Sequence, residues 1–511
     1  MTSTDVSTEK LSTEAMTDNS ELIGSRRLTL LLYAFGALTF MLCLGMGLNR
    51  YFDHDEFEAL HTSWLLWIGD QPYVDFIQHH HLFVHYLLTP LFSVFGETTD
   101  VVVAARILSF VGLLLMAFAT YRLTFEVSEN RSMSLAAGVL LPAWVLFTTK
   151  AVEVRPDTPQ TLLIIVGLVF VMRHDRLKDR YSLALAGVAF GLALIFLQKA
   201  AIPIILVALI LLLRLFMGKL KWTDIGAIVA AGTLTLLPAV IFIALSNGLD
   251  VYWFWNFTYN NVYYDLRGIE TYKLINNIRF IISMNTPLAL LIPFAFMKRD
   301  RRLLELTFFA VGIFAFAVLT GRHNLQYYMP AFPVLSVLAG IGLLRLLSLR
   351  LPYAKALGYT LLVLSFVRPA INYGYNASFS NEDRLGKIAY VNEVARPDAR
   401  VYDGNILFNI FRRDVDFLWY MVVPPYQAAQ TLELLVDYDY DIYARIEEHM
   451  PDIIQVYNPN KPEDPPYLDA SEPIISENYV PSPSYDGLYL LDDPELLRRE
   501  SAYSSTVTER D

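Results

Sequence analysis

The sequence predicts a mainly α-helical, polytopic membrane protein: a bundle of about eleven transmembrane helices, with a small α/β domain at the C-terminal end lying outside the bilayer. Three observations carry this expectation. Hydrophobic residues make up 54% of the 511 and mean hydropathy is +0.38, more apolar side chain than a soluble core of that size needs. Apolar runs of about twenty residues, long enough to cross ~30 Å of hydrocarbon as helices, recur from Leu28 to about Tyr373. Basic residues gather in alternate connections between those runs.

Residues 1–24 are rich in Ser, Thr and Glu and nearly free of aromatic residues, and they read as a disordered tail on the cytoplasmic side. Arg26-Arg27 then precedes the first apolar run, and no small-residue cleavage site follows Leu28–Leu48, so that run is expected to stay as a helix. Residues 25–373 form the membrane domain. Spans are expected near 28–48, 103–125, 133–149, 159–173, 181–198, 200–217, 224–246, 281–297, 303–320, 328–347 and 355–373. Arg173, Arg176, Lys178 and Arg180 share one connection, and Arg214, Lys219 and Lys221 the next. Lys298, Arg299, Arg301 and Arg302 share a third, and Arg345, Arg350 and Lys355 a fourth. All four fall on the side of Arg26-Arg27, which the positive-inside rule makes cytoplasmic. An odd number of spans puts residues 374–511 on the other face of a cell membrane.

Two long loops, 49–102 and 247–280, fall on that outer side, both dense in Tyr, Trp and Phe. Such amphipathic rings suit the headgroup layer, with or without chemistry there. Residues 374–498 alternate helix-like stretches such as Asp441–His449 with strand-like ones such as Asp452–Tyr457 and Gly487–Leu491, and 499–511 read as a polar tail. Residues 374–511 carry 26 acids against 11 bases and the rest 25 against 29, so neither part offers a basic surface to nucleic acid. The single cysteine, Cys43, lies in the first span and excludes any intrachain disulfide. Two outward-facing sequons, Asn256-Phe257-Thr258 and Asn376-Ala377-Ser378, are common by chance and receive no role.

The chemistry concentrates in the first loop. Asp53, Asp55, Glu56 and Glu58 place four carboxylates within six residues just past the first span, and six of the nine histidines (His54, His61, His79, His80, His81, His85) lie in the same loop. Solvated acids at a membrane boundary are ordinary, but this density of titratable groups points to a site. The loop continues through Gly69-Asp70-Gln71-Pro72-Tyr73-Val74-Asp75-Phe76 and His79-His80-His81 to Tyr86-Leu87-Leu88 and Pro90-Leu91-Phe92. Further on come Ala105-Arg106-Ile107-Leu108-Ser109, Val152-Glu153-Val154-Arg155-Pro156-Asp157, Gln198-Lys199 and Tyr327-Tyr328-Met329-Pro330.

In order and sidedness these motifs resemble the GT-C membrane glycosyltransferases, the group that includes protein O-mannosyltransferases and the bacterial aminoarabinose transferase acting on lipid A. The resemblance covers most of 28–373. It implies transfer of a sugar from a polyprenyl-phosphate donor to a hydroxyl-bearing lipid, glycan or protein acceptor, with inversion at the anomeric carbon. Asp55 matches the family's catalytic acid position, where a carboxylate takes the proton of a poorly nucleophilic hydroxyl; Glu56 would position the acceptor or tune its neighbour. Asp157 matches a second acidic position, and it would equally pair with Arg155. The leaving group is a phosphate, which needs charge stabilisation more than a proton. Arg155, Lys199, Arg322 and His323, all near outer helix ends, are the candidates for that role, against a bland reading in which each side chain snorkels to the headgroups. Asp75, His80 and Tyr327 belong to the loop and acceptor-positioning motifs. His80 is assigned to the family's basic position, although relatives place two prolines after it and this chain has none.

No cofactor is expected, because basic side chains can hold the phosphate. A divalent cation is the alternative: if 54–62 is helical, His54, Glu58 and His61 share a face. A secondary transporter would carry ionisable residues at the centres of its spans, which these runs lack. A non-catalytic envelope-assembly protein would have no use for Asp55 and its neighbours.

Overall fold

A computed structural model describes residues 26–267, 271–320, 324–404, 408–419, 427–438, 440–456 and 468–508. The tail expected at 1–24 lies outside them, as do Arg322 and His323. The helices run in the order α1 (Arg26–Asn49), α2 (His54–Ile68), α3 (Phe83–Phe95), α4 (Asp100–Ser128), α5 (Arg131–Leu140), α6 (Val145–Ala151), α7 (Asp157–Leu177), α8 (Arg180–Phe196), α9 (Ala201–Phe216), α10 (Trp222–Ser246), α11 (Leu249–Trp253), α12 (Asn260–Arg267), α13 (Thr271–Leu291), α14 (Arg301–Leu319), α15 (Ala331–Leu347) and α16 (Ala354–Ala377). The remaining elements are α17 (Glu382–Val394), β1 (Arg400–Tyr402), β2 (Arg413–Asp414), α18 (Gln427–Val436), α19 (Ile442–His449), β3 (Ile453–Gln455), α20 (Pro473–Asn478), β4 (Tyr479–Pro481), β5 (Leu488–Leu491) and α21 (Pro494–Thr508). The polar stretch from about Arg498 is therefore helical as far as Thr508.

The chain is a multi-pass membrane protein. Each of the eleven expected runs coincides with a helix, but only seven helices in the described residues are long and apolar enough to cross a membrane, or eight if a bent pair counts as one span. That pair is Arg131–Ala143 and Val145–Ala151, which the sequence presents as one run and the structure bends by 74°. Helices α3, α8 and α15 are apolar but short, and α7 is diluted by its polar first turn and its Arg173–Arg176 end.

Close packing of the bundle depends on small residues, as expected where lipid removes the hydrophobic drive between helices. A Cβ at Gly187 of α8 would stand 2.3 Å from the Ile228 carbonyl oxygen of α10, and one at Gly342 of α15 would stand 2.0 Å from that of Leu291. Any side chain at either position would push the helices apart.

At one end of the bundle, here the loop side, α2 and α3 of the first loop share a single buried apolar cluster with the second loop and the C-terminal region. Phe57, Trp64 and Phe92 pack with Trp255 and Tyr259 and with Val401, Trp419, Ile453 and Leu490. The sheet has the order β2-β1-β3-β5-β4. The first three strands are parallel (Val401 opposite Ile453), and β5 returns antiparallel (Ile454 opposite Tyr489).

Candidate functional site

The local sequence of α2 fixes its start. Asp53 accepts from the Asp55 amide at 3.2 Å and the Glu56 carboxylate accepts from the Asp53 amide at 3.0 Å, a reciprocal cap. The helix ends at Gly69, whose φ of +96° suits glycine. This cap holds Asp55 in the first turn and projects it into a cavity of about 340 Å³ on the loop side.

One wall of the cavity is acidic and tightly held. Arg155 pairs with Asp55, donates to Glu153 Oε2 at 3.1 Å and lies 3.7 Å from both Asp53 Oδ1 and Asp157 Oδ2. Lys150 donates to Asp53 Oδ2 at 2.9 Å and to Glu153 Oε2 at 2.8 Å. Glu153 is fully buried beneath them and also takes Arg50 Nη1 at 2.5 Å. The bend between α5 and α6 aims Lys150 and Glu153 back at α2. Burial alone would raise the Asp55 pKa, but Arg155, His54 and Lys150 together outweigh burial and the nearby Asp53, so it lies below the ordinary carboxylate value and Asp55 is ionised at neutral pH. Asp53 is lowered in the same way, with Lys150 and Arg155 outweighing burial.

Two further lysines line the cavity. Lys199, in the turn before α9, lies 3.9 Å from Asp157 Oδ1 with its ammonium 4.6 Å from the centre of the Tyr327 ring. Lys273 of α13 lines the same space, donating to Asn324 Oδ1 at 3.4 Å. Tyr263, Tyr264 and Asn277 belong to the same lining. Behind Lys199 a narrow cleft continues between Ile202, Ile313 and Phe316.

The floor is Glu58, His79 and His80. Burial first, then the charge of Asp55, pushes Glu58 up to about 8, while burial lowers His79 to about 3 and drives His80 down as well. At neutral pH this floor carries no net charge. Glu58, His79 and His80 each offer a ligand atom, with all three atoms within 4.8 Å of one another, as do Asp53, His54 and Asp55, so either group could hold a cation. The trio expected on one helical face does not form. His61 turns away and is fully buried, with Nδ1 3.0 Å from the Ile410 carbonyl and Nε2 2.7 Å from Asp414, which ties α2 to β2.

Of the expected site residues, the cavity gathers Asp55, Asp157, Arg155, Lys199 and His80, and Tyr327 borders it beside Lys199. Glu56 is not in its lining. Both its oxygens are engaged by Arg106 (2.6 and 2.9 Å), and it also accepts from the amides of Asp53 and Val154. Asp75 lies elsewhere, beside Asp70 and Arg413 against the C-terminal region, and accepts from the Gln71 amide at 2.7 Å. Sequence reasoning missed Lys150, Glu153 and Lys273 as members of the site, and it offered Glu58 only as one of the loop's carboxylates and as a cation ligand with His54 and His61. For Glu56 the signal was present, since Asp53-His54-Asp55-Glu56 has the spacing of a capping box. Asn256 is buried, and its amide donates to the Tyr73 hydroxyl at 2.9 Å, so that sequon is part of the packing.

No protein-family model matches the chain, and no curated protein does. Solved structures do match. ArnT from Cupriavidus metallidurans bound to undecaprenyl phosphate superposes with a TM-score of 0.55 at 14% identity, over 80% of this chain and 88% of that one. The apo state of the same protein gives 0.54 at 14%, over 76% and 85%. The archaeal oligosaccharyltransferase AglB from Archaeoglobus fulgidus, in complex with an inhibitory peptide and a dolichol-phosphate, gives 0.54 at 11%, over 84% and 70%. The chain thus has the GT-C fold of polyprenyl-phosphate-dependent glycosyltransferases, the fold its sequence motifs resemble.

Proposed function

We propose that the protein is a membrane glycosyltransferase that moves a sugar from a polyprenyl-phosphate donor to a hydroxyl acceptor on the extracytoplasmic face, with Asp55 as general base. The observation that carries this reading is one cavity lined both by Asp55, which Arg155 holds in its ionised form, and by Lys199 and Lys273. Arg155 holds one oxygen of Asp55, and the other faces His54, 3.4 Å away, at a partly exposed edge. The acceptor hydroxyl gives its proton to that oxygen as it attacks the anomeric carbon. The bond from that carbon to the phosphate oxygen breaks, and the electron pair leaves on the phosphate, where Lys199 and Lys273 balance the added charge. Attack opposite the departing phosphate inverts the anomeric centre. Two carriers of the same class, undecaprenyl phosphate in ArnT and dolichol-phosphate in AglB, support the choice of donor.

The membrane topology that fits is the eleven-span one, with the N-terminus cytoplasmic and residues 374–511 outside. A cysteine at Ser471 should react with an impermeant thiol reagent from outside and one at Lys178 should not; labelling of Ser471 only after lysis would reverse the assignment. The enzymatic reading is tested by supplying the protein, reconstituted in nanodiscs, with a single-sugar polyprenyl phosphate and separately with a lipid-linked oligosaccharide. Release of the polyprenyl phosphate with the first donor supports a monosaccharide transferase. Use of the second alone would make the protein a glycan ligase, and use of neither would remove the enzymatic reading.

A further inference from the structure

A second opening of about 350 Å³ adjoins the cavity just described and shares two of its residues, Asp53 and His54. Arg50, Tyr51, Phe52, Asn376 and Arg384 form the rest of its lining. It lies where the end of α1 meets the end of α16 and the start of α17. Because Arg155 occupies one oxygen of Asp55, the oxygen left for a substrate is the one facing His54, a residue that lines both openings.

The chemistry of the opening is uneven. Tyr51 is 51% exposed, and its ring stacks on Phe379 with centroids 5.0 Å apart, while Phe379 in turn meets Tyr375 edge-on at 4.9 Å. A continuous aromatic surface therefore lies on the outside of the protein beside the polar groups. Arg384 is held by the Phe52 carbonyl at 2.5 Å, and its guanidinium carbon is 5.3 Å from the centre of the Tyr51 ring. Among the described residues no carboxylate lies within salt-bridge distance of Arg384, whereas Arg50 is committed to Glu153. Asn376 stands at the same rim, with its amide nitrogen donating to the Asn372 carbonyl at 2.8 Å and its amide oxygen left as an acceptor.

We infer that this opening is the acceptor subsite and that it takes a pyranose ring of a glycan acceptor carrying an acidic substituent. The inference rests on the proposed transferase reading and adds the acceptor class to it. The C–H face of a pyranose is apolar and packs on an exposed tyrosine, while its equatorial hydroxyls reach an amide and a guanidinium around the edge. A carboxylate or phosphate on that ring would find in Arg384 a planar donor fork that, among the described residues, has no carboxylate within salt-bridge distance, although Asp383 and Glu56 lie within electrostatic reach. From there a hydroxyl of the ring would reach the free oxygen of Asp55 past His54. A hydroxyl-bearing peptide would call instead for a groove offering backbone partners, and the opening offers a ring-sized aromatic face.

The test uses the full chain in nanodiscs and two soluble probes, methyl glucoside and methyl glucuronide, read by saturation-transfer NMR, with undecaprenyl phosphate affinity measured on the same samples. Both probes should show contact through their ring protons, with the glucuronide binding more tightly. Tyr51→Ala should weaken both by about tenfold, Tyr51→Phe should retain them, and Arg384→Ala should abolish the preference for glucuronide. Undecaprenyl phosphate affinity should be unchanged in all three variants. Binding of undecaprenyl phosphate without binding of either glycoside by the unaltered protein would overturn the subsite and leave the donor reading standing. Glycoside binding without undecaprenyl phosphate binding would do the reverse. Saturation of a threonine peptide in place of the glycosides, or glycoside contacts indifferent to Tyr51→Ala, would also overturn the subsite.

Discussion

Helices α7 and α9 each carry charged residues at both ends, and the two ends are built differently. At the far ends of these helices, away from the long loops, Arg214 grips Glu305 through two hydrogen bonds of 3.0 and 2.5 Å, and Arg301 joins Glu305 (2.8 Å) to Asp175 (2.9 Å). Arg176 meets Glu126 at 2.7 Å. The charges there are spent on one another. At the loop-side ends, Asp157 and Lys199 stand 3.9 Å apart, Arg155 Nε is 3.7 Å from Asp157, and acids and bases alike line a cavity. Similar residue types thus make a clasp at one end and, in our reading, a reaction chamber at the other. What distinguishes them is paired charge beside open volume rather than charge itself.

The largest expected effect comes from breaking the chamber. Asp55→Asn keeps the shape and most of the hydrogen bonding but removes the proton acceptor, so sugar transfer per folded molecule at saturating donor should fall by about 10²–10⁴-fold, while the charge lost beside Arg155 lowers the melting temperature. Near-normal turnover would make the loop-side cluster a second clasp. The mirror experiment is Arg214→Ala. It strips Glu305 of a buried partner and should cost about 3 kcal/mol of stability. It should leave turnover per folded molecule within about twofold, as measured by thermal melting and by transfer normalised to folded protein. Turnover falling further than the folded fraction would mean the two ends are coupled. A smaller effect is expected at the cavity lysines, where Lys199→Ala should weaken undecaprenyl phosphate binding by about tenfold. Unchanged affinity would mean that Lys199 only snorkels.

The same contrast shows what could be read in advance. Helix positions were legible because membrane spans declare themselves by length and apolarity, within a few residues, from Leu28 to Tyr373. The first loop was legible as a site because its acids and histidines are dense. Their individual roles were not, since those depend on contacts far along the chain. His61 is fixed by Asp414 and Asp75 lies near Arg413, each more than 330 residues away. The four-carboxylate run hides two different fates, Asp55 facing the cavity and Glu56 sealed by Arg106. Lys150 and Glu153 were missed because 133–149 reads as one straight span, whereas it breaks at Pro142–Trp144 and turns its end toward α2.

The smallest effect, and the one that sharpens the comparison most, concerns pH and Glu58. In the clasp each carboxylate is matched by an arginine. In the chamber, burial and the charge of Asp55 raise Glu58 from 4.5 to about 8. Between those values the folded protein holds a proton on Glu58 that the unfolded chain has released, so the folded state binds more protons and stability falls as pH rises. The contribution is fully present below pH 4.5 and is lost as pH passes through about 8. Melting temperature measured in detergent should therefore decline from pH 5 toward pH 8.5 in the unaltered protein, and Glu58→Gln, which is neutral throughout, should flatten that decline. If Glu58 instead binds a cation with His79 and His80, it must ionise to do so. Added divalent metal would then raise the melting temperature most at high pH, and Glu58→Gln would abolish that rise. An unaltered slope in the Gln variant, with and without metal, would show that Glu58 is ionised and paired in the folded state. In that case the loop-side cluster would resemble the far end more closely than its geometry indicates.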